Sequence, residues 1–406
     1  MKHPSLARRA AFLPTALPAA ASRGTISFDS GYAFRGVLPD LTAEAAHALT
    51  RYRGQTLQYG PKVGIPELRA WIARYAAEDG IALSHDNVLV TNGAKQAIDL
   101  VCRLLLDEGD SIVVTAPTYF TAIPIFRSFG VEFIEIEQDR EGLDVGELAD
   151  ILARRRRDGK SSPKFIYNIT EFHNPTGITM SLERRKALVE LAVREQIFII
   201  EDSPYRKIRF EGDPIPPLKS LDRHDLVFHL GTFSKLMAPG LRVGWVSSSP
   251  EMIARLTQLK SDNGSCPLTQ RIVFEFCNEG RLAAHTERVR ETYRVHRDRM
   301  VESLRHELPD VSFDVPCGGY YMWLTLPHEM DGEQLAVRAS EAGVTVLPPR
   351  KFYAHPDAGR SKNHIRIAYT HADVHEIDEG VRRLASAFRS IRAGSALATV
   401  RLGHTA

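Results

Sequence analysis

The chain has 406 residues, of which 43% are hydrophobic and 25% charged, with a formal net charge of +2. That composition can bury a large core over two or three domains, and the balanced charge speaks against a nucleic-acid-binding protein. No uninterrupted apolar stretch is long enough to span a membrane. Cys102, Cys266, Cys277 and Cys317 are widely scattered and show no metal-ligand spacing, which points to reduced thiols in a cytoplasmic setting.

In chain order, Arg8 to Ala21 has the look of a signal peptide, but Pro14 and Pro18 interrupt its apolar part and it reads as an N-terminal arm. The strand Val88–Val90 leads into Thr91-Asn92-Gly93-Ala94-Lys95-Gln96, which opens a helix running to about Asp107 with Ala97, Ile98, Val101, Leu104 and Leu105 as its apolar positions. A helix start of this kind points free N–H groups at an anion, although a simple helix entry would look the same. Ser111–Thr115 is the next strand, followed by Ala116-Pro117-Thr118-Tyr119, whose tyrosine could equally be ordinary core. A helix from Val145 ends in Arg154-Arg155-Arg156-Arg157, where cations suit the helix C-terminus and a solvated face is expected.

The strand Phe165–Ile169 precedes Asn174-Pro175-Thr176-Gly177, a run that turn chemistry alone would explain. Ile197–Ile200 delivers Glu201 and Asp202 to a strand end, with Tyr205 three residues on; alternation sends Glu201 to the other face. Val227–Leu230 is a further buried strand, and the loop Gly231–Ser234 carries Lys235 at its end. From Ala48 to about Asn278 helices and strands alternate, the pattern of a mostly parallel sheet covered on both faces, with ligands at the carboxyl ends of the strands. A long charged helix follows over Arg281–Glu307. Beyond it come strands at Val311–Val315 and Tyr320–Leu326, a helix over Gly332–Ala342, a strand pair Val344–Leu347 with His364–Ile367, and a helix from Val374 to Arg389. These read as a smaller α/β domain completed by the segment before Arg51. The expected division is an arm and part of the small domain over 1–50, a large domain over 51–285, a small domain over 286–392 and a weakly periodic tail over 393–406, with no internal repeats.

Lys235 carries the most chemistry. On a loop at a strand end it reaches into a cleft, where lost solvation disfavours the ammonium and frees the amine as a nucleophile. It reads as a Schiff-base lysine. Thr232 and Arg242 bring a hydroxyl and a forked cation suited to a phosphate, and Pro239-Gly240 makes a turn that folds Arg242 back.

The run Gly231-Thr232-Phe233-Ser234-Lys235-Leu236-Met237-Ala238-Pro239-Gly240-Leu241-Arg242-Val243-Gly244 resembles the lysine motif of the class I and II pyridoxal-phosphate aminotransferases, the fold type I or aspartate aminotransferase superfamily, whose pattern is close to S-F-S-K-x-x-x-P-G-x-R-x-G. Thr232 stands for the first serine and keeps the hydroxyl. Further motifs follow in the family's order, so the resemblance covers about Gly31 to Leu384. It implies an α/β fold with a mostly parallel, seven-stranded type of sheet, and pyridoxal 5'-phosphate as cofactor. By similarity, the amides of Ala94 and Lys95 hold the phosphate beside Gly93, Ser234 and Arg242, and Tyr119 lies on the ring. Asn174 and Tyr205 bond the phenolic oxygen, Asp202 pairs with the ring nitrogen, and Lys235 binds the aldehyde and acts as base. Arg366, in Asn363-His364-Ile365-Arg366-Ile367-Ala368, clamps the substrate carboxylate, with Asn174 also facing the substrate. Tyr59, in a Tyr-Gly…Gly…Leu-Arg entry, reaches the phosphate of a neighbouring subunit, which implies a homodimer with shared sites. Pro316–Trp323 is expected to be structural, as is His173.

The reaction the resemblance implies is transamination between an α-amino acid and a 2-oxo acid. Departures at Ala33, Glu171 and Thr232 leave room for a specialised lyase, cyclase or oxidase of the same fold. A ligand-sensing regulator with an aminotransferase-like domain is the reading from another class; only 58 residues precede Tyr59 and they show no helix-turn-helix pattern.

Overall fold

The computed structural model describes residues 24–356 and 362–402, together with Ala7 and Ala10; side chains are described up to residue 393. Twelve strands are present among them. They are β1 (Ile26–Ser27), β2 (Val88–Thr91), β3 (Ser111–Ala116), β4 (Glu132–Asp139), β5 (Gly142–Leu143) and β6 (Phe165–Asn168), then β7 (Phe198–Asp202), β8 (Val227–Thr232), β9 (Gly244–Ser247), β10 (Tyr321–Thr325), β11 (Val344–Thr345) and β12 (His364–Ala368). Eight form one sheet in the order β2-β9-β8-β7-β6-β3-β4-β5. The neighbours β8, β7, β6, β3 and β4 run parallel, β9 is antiparallel to both β8 and β2, and the two-residue β5 folds back on β4. The seven-stranded type of sheet expected from the sequence is thus present, with β5 as a short addition.

Strands covered on both faces need continuous apolar runs, and the sequence supplies them: β2, β3, β6 and β8 are buried at every position. The helix Ala94–Leu105 turns Ala97, Ile98, Val101 and Cys102 inward on a helical period. Each fully buried Ile, Val or Leu contributes roughly 1.5–3 kcal/mol. The arginine run at 154–157 departs from the expected solvated face at one position. Arg155 continues the buried stripe of Leu148 and Leu152, and it donates to Glu132 at 2.9 Å and to the Ser111 hydroxyl at 3.0 Å.

A second unit is built from β10 and β12, antiparallel, and from β1 and β11, parallel. The segment before Arg51 therefore contributes a strand here, as expected. The expected pair Val344–Leu347 with His364–Ile367 is replaced by these two pairings, joined by a single bridge between Leu347 and Arg366: His364–Ala368 pairs along its full length with Tyr321–Thr325, and Val344–Thr345 pairs with Ile26–Ser27. Val311–Val315 contributes only the bridge of Ser312 to Thr325. The helix over Arg281–Glu307 lies where the sequence places it, with Leu282, Val289, Tyr293, Met300 and Leu304 buried. The last helix runs from Val374 to Leu402, past its expected end at Arg389, since the Ala- and Leu-bearing tail has good helix propensity despite weak amphipathic periodicity. Cys102 and Cys277 are buried, Cys266 and Cys317 exposed, and all four are free thiols. The signal-peptide-like run lies outside the described residues except for Ala10.

Candidate active site

Motifs read separately along the sequence converge at one edge of the large sheet. Parallel strands end there at Asp202 and Thr232, and β9, being antiparallel, begins there, which brings Arg242 to the same edge. A cavity of about 640 Å³ opens at this edge and is lined by Ala94, Lys95, Tyr119, Asp202, Tyr205, Thr232, Ser234, Lys235, Arg242 and Arg366.

Asp202 ends β7 with its carboxyl buried. Tyr167 on the adjacent strand donates to Oδ2 at 2.8 Å, and Oδ1 has no partner. Burial raises its pKa to about 6, against the opposing effects of the Tyr167 bond and the Lys235 charge. A buried carboxylate with an open oxygen calls for a cation or a shared proton. Lys235 Nζ donates to the carbonyl of Gly31 at 2.7 Å and sits 4.8 Å from the Tyr320 ring centroid. Desolvation lowers its pKa below the ordinary lysine value; Arg366 and Arg242 push the same way, and Tyr321 and Asp202 oppose them. Gly31 has no room for a side chain, since a Cβ there would collide with the Tyr321 hydroxyl.

At one end of the cavity the helix Ala94–Leu105 begins. Gly93 has φ of +82°, and a Cβ there would lie 2.5 Å from Arg242 Nη2, so only glycine allows this approach. The first-turn N–H groups of Ala94 and Lys95 have no intrahelical acceptor. Arg242 donates to the carbonyl of Asn92 at 3.0 Å and reaches the Ser234 hydroxyl at 3.5 Å, while Thr232 Oγ1 donates to Ser234 Oγ at 3.0 Å. Lys95 has a lowered pKa from desolvation and from the nearby charges of Arg242 and Lys235. Cations, hydroxyls and a helix N-terminus crowded together make an anion site.

At the other end Arg366 is buried, its guanidinium carbon 4.1 Å from the Tyr321 ring centroid. Nη1 donates to Asn174 Oδ1 at 3.1 Å, another donor goes to the carbonyl of Asp29, and Nε has no partner. Asn174 Nδ2 is likewise buried without an acceptor.

Three expected residues lie outside the cavity lining. Gly93 shapes the helix entry behind it, Asn174 stands behind Arg366, and Tyr59 is 83% exposed on the outer surface. His173 is buried and bonds Thr115 and Thr176, with burial pulling its pKa to about 3, which keeps it neutral and structural. Glu201 is buried on the opposite face and accepts from Thr170 and from the N–H groups of Leu218 and Lys219, as strand alternation requires.

Sequence reasoning missed Tyr321 and Tyr167. Tyr321 lines the cavity, so the structural role expected for Pro316–Trp323 does not hold at this position. Its hydroxyl is held on the acidic side of ordinary tyrosine: burial raises the pKa, but Lys235, Arg366 and a hydrogen bond with Tyr205 outweigh it. The register of β10 with β12 sets Trp323 opposite Arg366 and hence Tyr321 on the same face, a relation visible only once that pairing is known. Tyr167 is paired with Ile200, two residues before Asp202, so it shares a face with the acid.

The open atoms match one cofactor. Asp202 Oδ1 suits a protonated ring nitrogen, Asn174 Nδ2 suits a phenolate oxygen, and the Ala94–Arg242 end suits a phosphate; with the Tyr205 hydroxyl, which is hydrogen-bonded to Tyr321 at the cavity wall, these residues fit pyridoxal phosphate.

The family model described as aminotransferase class I and II matches residues 25–384. The aromatic-amino-acid aminotransferase 1 of Thermococcus litoralis is 36% identical over 357 residues, 87% of this chain and 84% of that protein. The 2-aminoadipate transaminase of Thermus thermophilus is 36% identical over 91% of each chain. Among solved structures, the multiple substrate aminotransferase of Thermococcus profundus superposes with a TM-score of 0.86 at 36% identity, over 91% of this chain and 92% of that one. The chain belongs to the class I and II aminotransferase family. It is a fold type I, pyridoxal-phosphate-dependent enzyme that moves an amino group between an α-amino acid and a 2-oxo acid.

Proposed function

We propose that Lys235 is the residue that carries the cofactor and moves the substrate Cα proton. The single observation that carries this reading is the cavity shared by Lys235, with its depressed pKa, and Asp202, with its unpartnered oxygen. When bound, pyridoxal phosphate supplies the carbonyl that takes up the amino group and a ring that accepts the electron pair freed at Cα. Asp202 holds positive charge on the ring nitrogen, helped by the Tyr167 hydroxyl that fixes its other oxygen. Asn174 Nδ2 and Tyr205 donate to the phenolic oxygen, and Tyr119 covers the ring face. The amides of Ala94 and Lys95, the hydroxyls of Thr232 and Ser234, and the guanidinium of Arg242 hold the phosphate, with Gly93 allowing the close approach. Arg366 orients the α-carboxylate with two parallel hydrogen bonds, which places the Cα proton toward Lys235. A lysine whose ammonium is destabilised is neutral for a larger share of the time, so Lys235 would accept the Cα proton and hold it for return on the far side of the substrate nitrogen.

The chain is read as a homodimer with shared sites. Five of the eight large apolar residues exposed among the described residues, namely Tyr32, Leu38, Leu49, Leu57 and Tyr59, fall between positions 32 and 59. Such a concentration supports a subunit interface, with Tyr59 reaching the partner's phosphate site. The separate sheets support a large domain over 51–285 and a small domain over 286–392 joined by part of the 1–50 arm, with 393–406 as a tail. Free thiols at all four cysteines support a cytoplasmic location.

The test is a spectrophotometric screen of amino acids against the purified holoenzyme. The reading expects the cofactor spectrum to convert to that of its aminated form with stoichiometric release of a 2-oxo acid. Release of a side-chain leaving group instead would overturn it.

A further inference from the structure

The cavity is lined by five side-chain cations, Lys95, Lys235, Arg242, Lys351 and Arg366, against two carboxylates, Asp29 and Asp202. In the reading above, Lys95 and Arg242 face the phosphate, Lys235 the cofactor carbonyl, Asp202 the ring nitrogen and Arg366 the α-carboxylate. Asp29 Oδ1 already accepts hydrogen bonds from the hydroxyls of Ser27, Ser30 and Thr345. Lys351 remains, with no hydrogen bond or ion pair to any described residue.

An exposed lysine without a partner is ordinarily solvated surface. The backbone around this one argues for more. The short 3-10 turn Pro349–Phe352 that carries it is pinned on three sides. Arg350 N donates to Glu333 at 3.1 Å, Thr118 N donates to the carbonyl of Phe352 at 2.8 Å, and Leu347, just upstream, exchanges hydrogen bonds of 3.0 and 2.8 Å with Arg366. The Phe352 ring centroid is 5.4 Å from the Arg366 guanidinium carbon. Pro348 and Pro349 stiffen the entry to the turn. Lys351 is therefore carried on a fixed support beside the α-carboxylate clamp, and its flexible four-carbon stem presents a point charge to the cavity wall.

We propose that Lys351 reads the second carboxylate of a dicarboxylic substrate, giving the enzyme a preference for 2-oxo diacids over 2-oxo acids with an uncharged side chain. This rests on Arg366 as the α-carboxylate clamp. Two cations on the wall of one cavity can each pair with a carboxylate, so a diacid gains an ion pair that a neutral side chain does not.

The experiment measures kcat/KM of the holoenzyme with 2-oxopentanedioate and with 2-oxohexanoate for the wild type, Lys351→Ala, Lys351→Arg and Lys351→Glu, alongside calorimetric binding of glutarate and of pentanoate. The expected ratio of diacid to neutral acid falls about fivefold in Lys351→Ala and about tenfold or more in Lys351→Glu, and Lys351→Arg restores most of it. Glutarate affinity follows the same order, and pentanoate affinity does not. Equal ratios and equal glutarate affinities in the wild type and Lys351→Glu overturn the proposal. If neither acceptor turns over in the wild type, the failure lies with the aminotransfer reading, and the glutarate series still decides the role of Lys351.

Discussion

Arg366 donates from Nη1 to Asn174 Oδ1 at 3.1 Å, tying β12, which carries the proposed carboxylate clamp, to the turn at Asn174-Pro175-Thr176-Gly177. A guanidinium can only donate, so this bond fixes which way the Asn174 amide points and leaves Nδ2 as its free donor. Replacing Asn174 with aspartate keeps the shape, removes that donor and strengthens the hold on Arg366. Loss of one preorganised donor is worth about 10²–10³ in rate, so steady-state kinetics of Asn174→Asp should show a fall of that order in kcat/KM at unchanged circular dichroism. A rate near that of the wild type would remove Asn174 from the site.

Asp202 gives the enzyme a pH signature. Its pKa is about 6 in the fold, against 3.8 for the ordinary group, chiefly through burial. The acid is therefore easier to keep protonated in the folded protein than in the unfolded chain. Its contribution to stability is fully present below pH 3.8 and is lost as pH rises through about 6, a difference of roughly 3 kcal/mol. The apoenzyme should lose that stability between pH 4 and 7, and the holoenzyme, in which the proposed pairing with the ring nitrogen would stabilise the carboxylate, should lose less. Tyr167→Phe removes a bond that lowers the Asp202 pKa, so it should extend the apoenzyme loss to higher pH. Parallel melting curves of apo and holo forms across this range check the sign; identical profiles would contradict the pairing.

Glu171, where the family frequently has proline, is buried against three arginines. It accepts from Arg185 at 3.2 Å and from Arg206, and it lies 3.6 Å from Arg209. Arg185 is fully buried and Arg206 nearly so, which leaves no solvent to take over the charge. Glu171→Ala should destabilise the fold by about 3–5 kcal/mol, read in urea or thermal unfolding, because it leaves the fully buried Arg185 with carbonyl acceptors alone, while Arg206 keeps Asp79 at 3.1 Å. The departure at Glu171 thus acts on stability, and cofactor affinity measured below the transition should change little.

Much of the site was legible because its residues sit at strand ends, where a continuous apolar run followed by polar residues reveals its place without tertiary knowledge. Asp202 and Lys235 are of this kind, and Arg242 follows the Pro239-Gly240 turn that brings it back to the same end. The helices over Ala94–Leu105 and Arg281–Glu307 were legible from apolar spacing. What depended on pairing was not. Tyr321 joins the cavity through the register of β10 on β12, Tyr167 through β6 on β7, and Lys351 through a turn fixed by Thr118, Glu333 and Arg366, pairings that no local pattern reveals. The strand partners of the small unit failed for the same reason: Val344–Thr345 found Ile26–Ser27, which local pattern cannot select.

The central claim is the covalent use of Lys235, and the direct measurement is borohydride reduction of the holoenzyme followed by peptide mapping with mass spectrometry. The account predicts a phosphopyridoxyl mass on the peptide containing Lys235, absent from Lys235→Ala, which should fold normally and lose at least about 10²–10⁴ of the rate. A label found on Lys95 or Lys351, or a Lys235→Ala enzyme turning over at the normal rate, would contradict it.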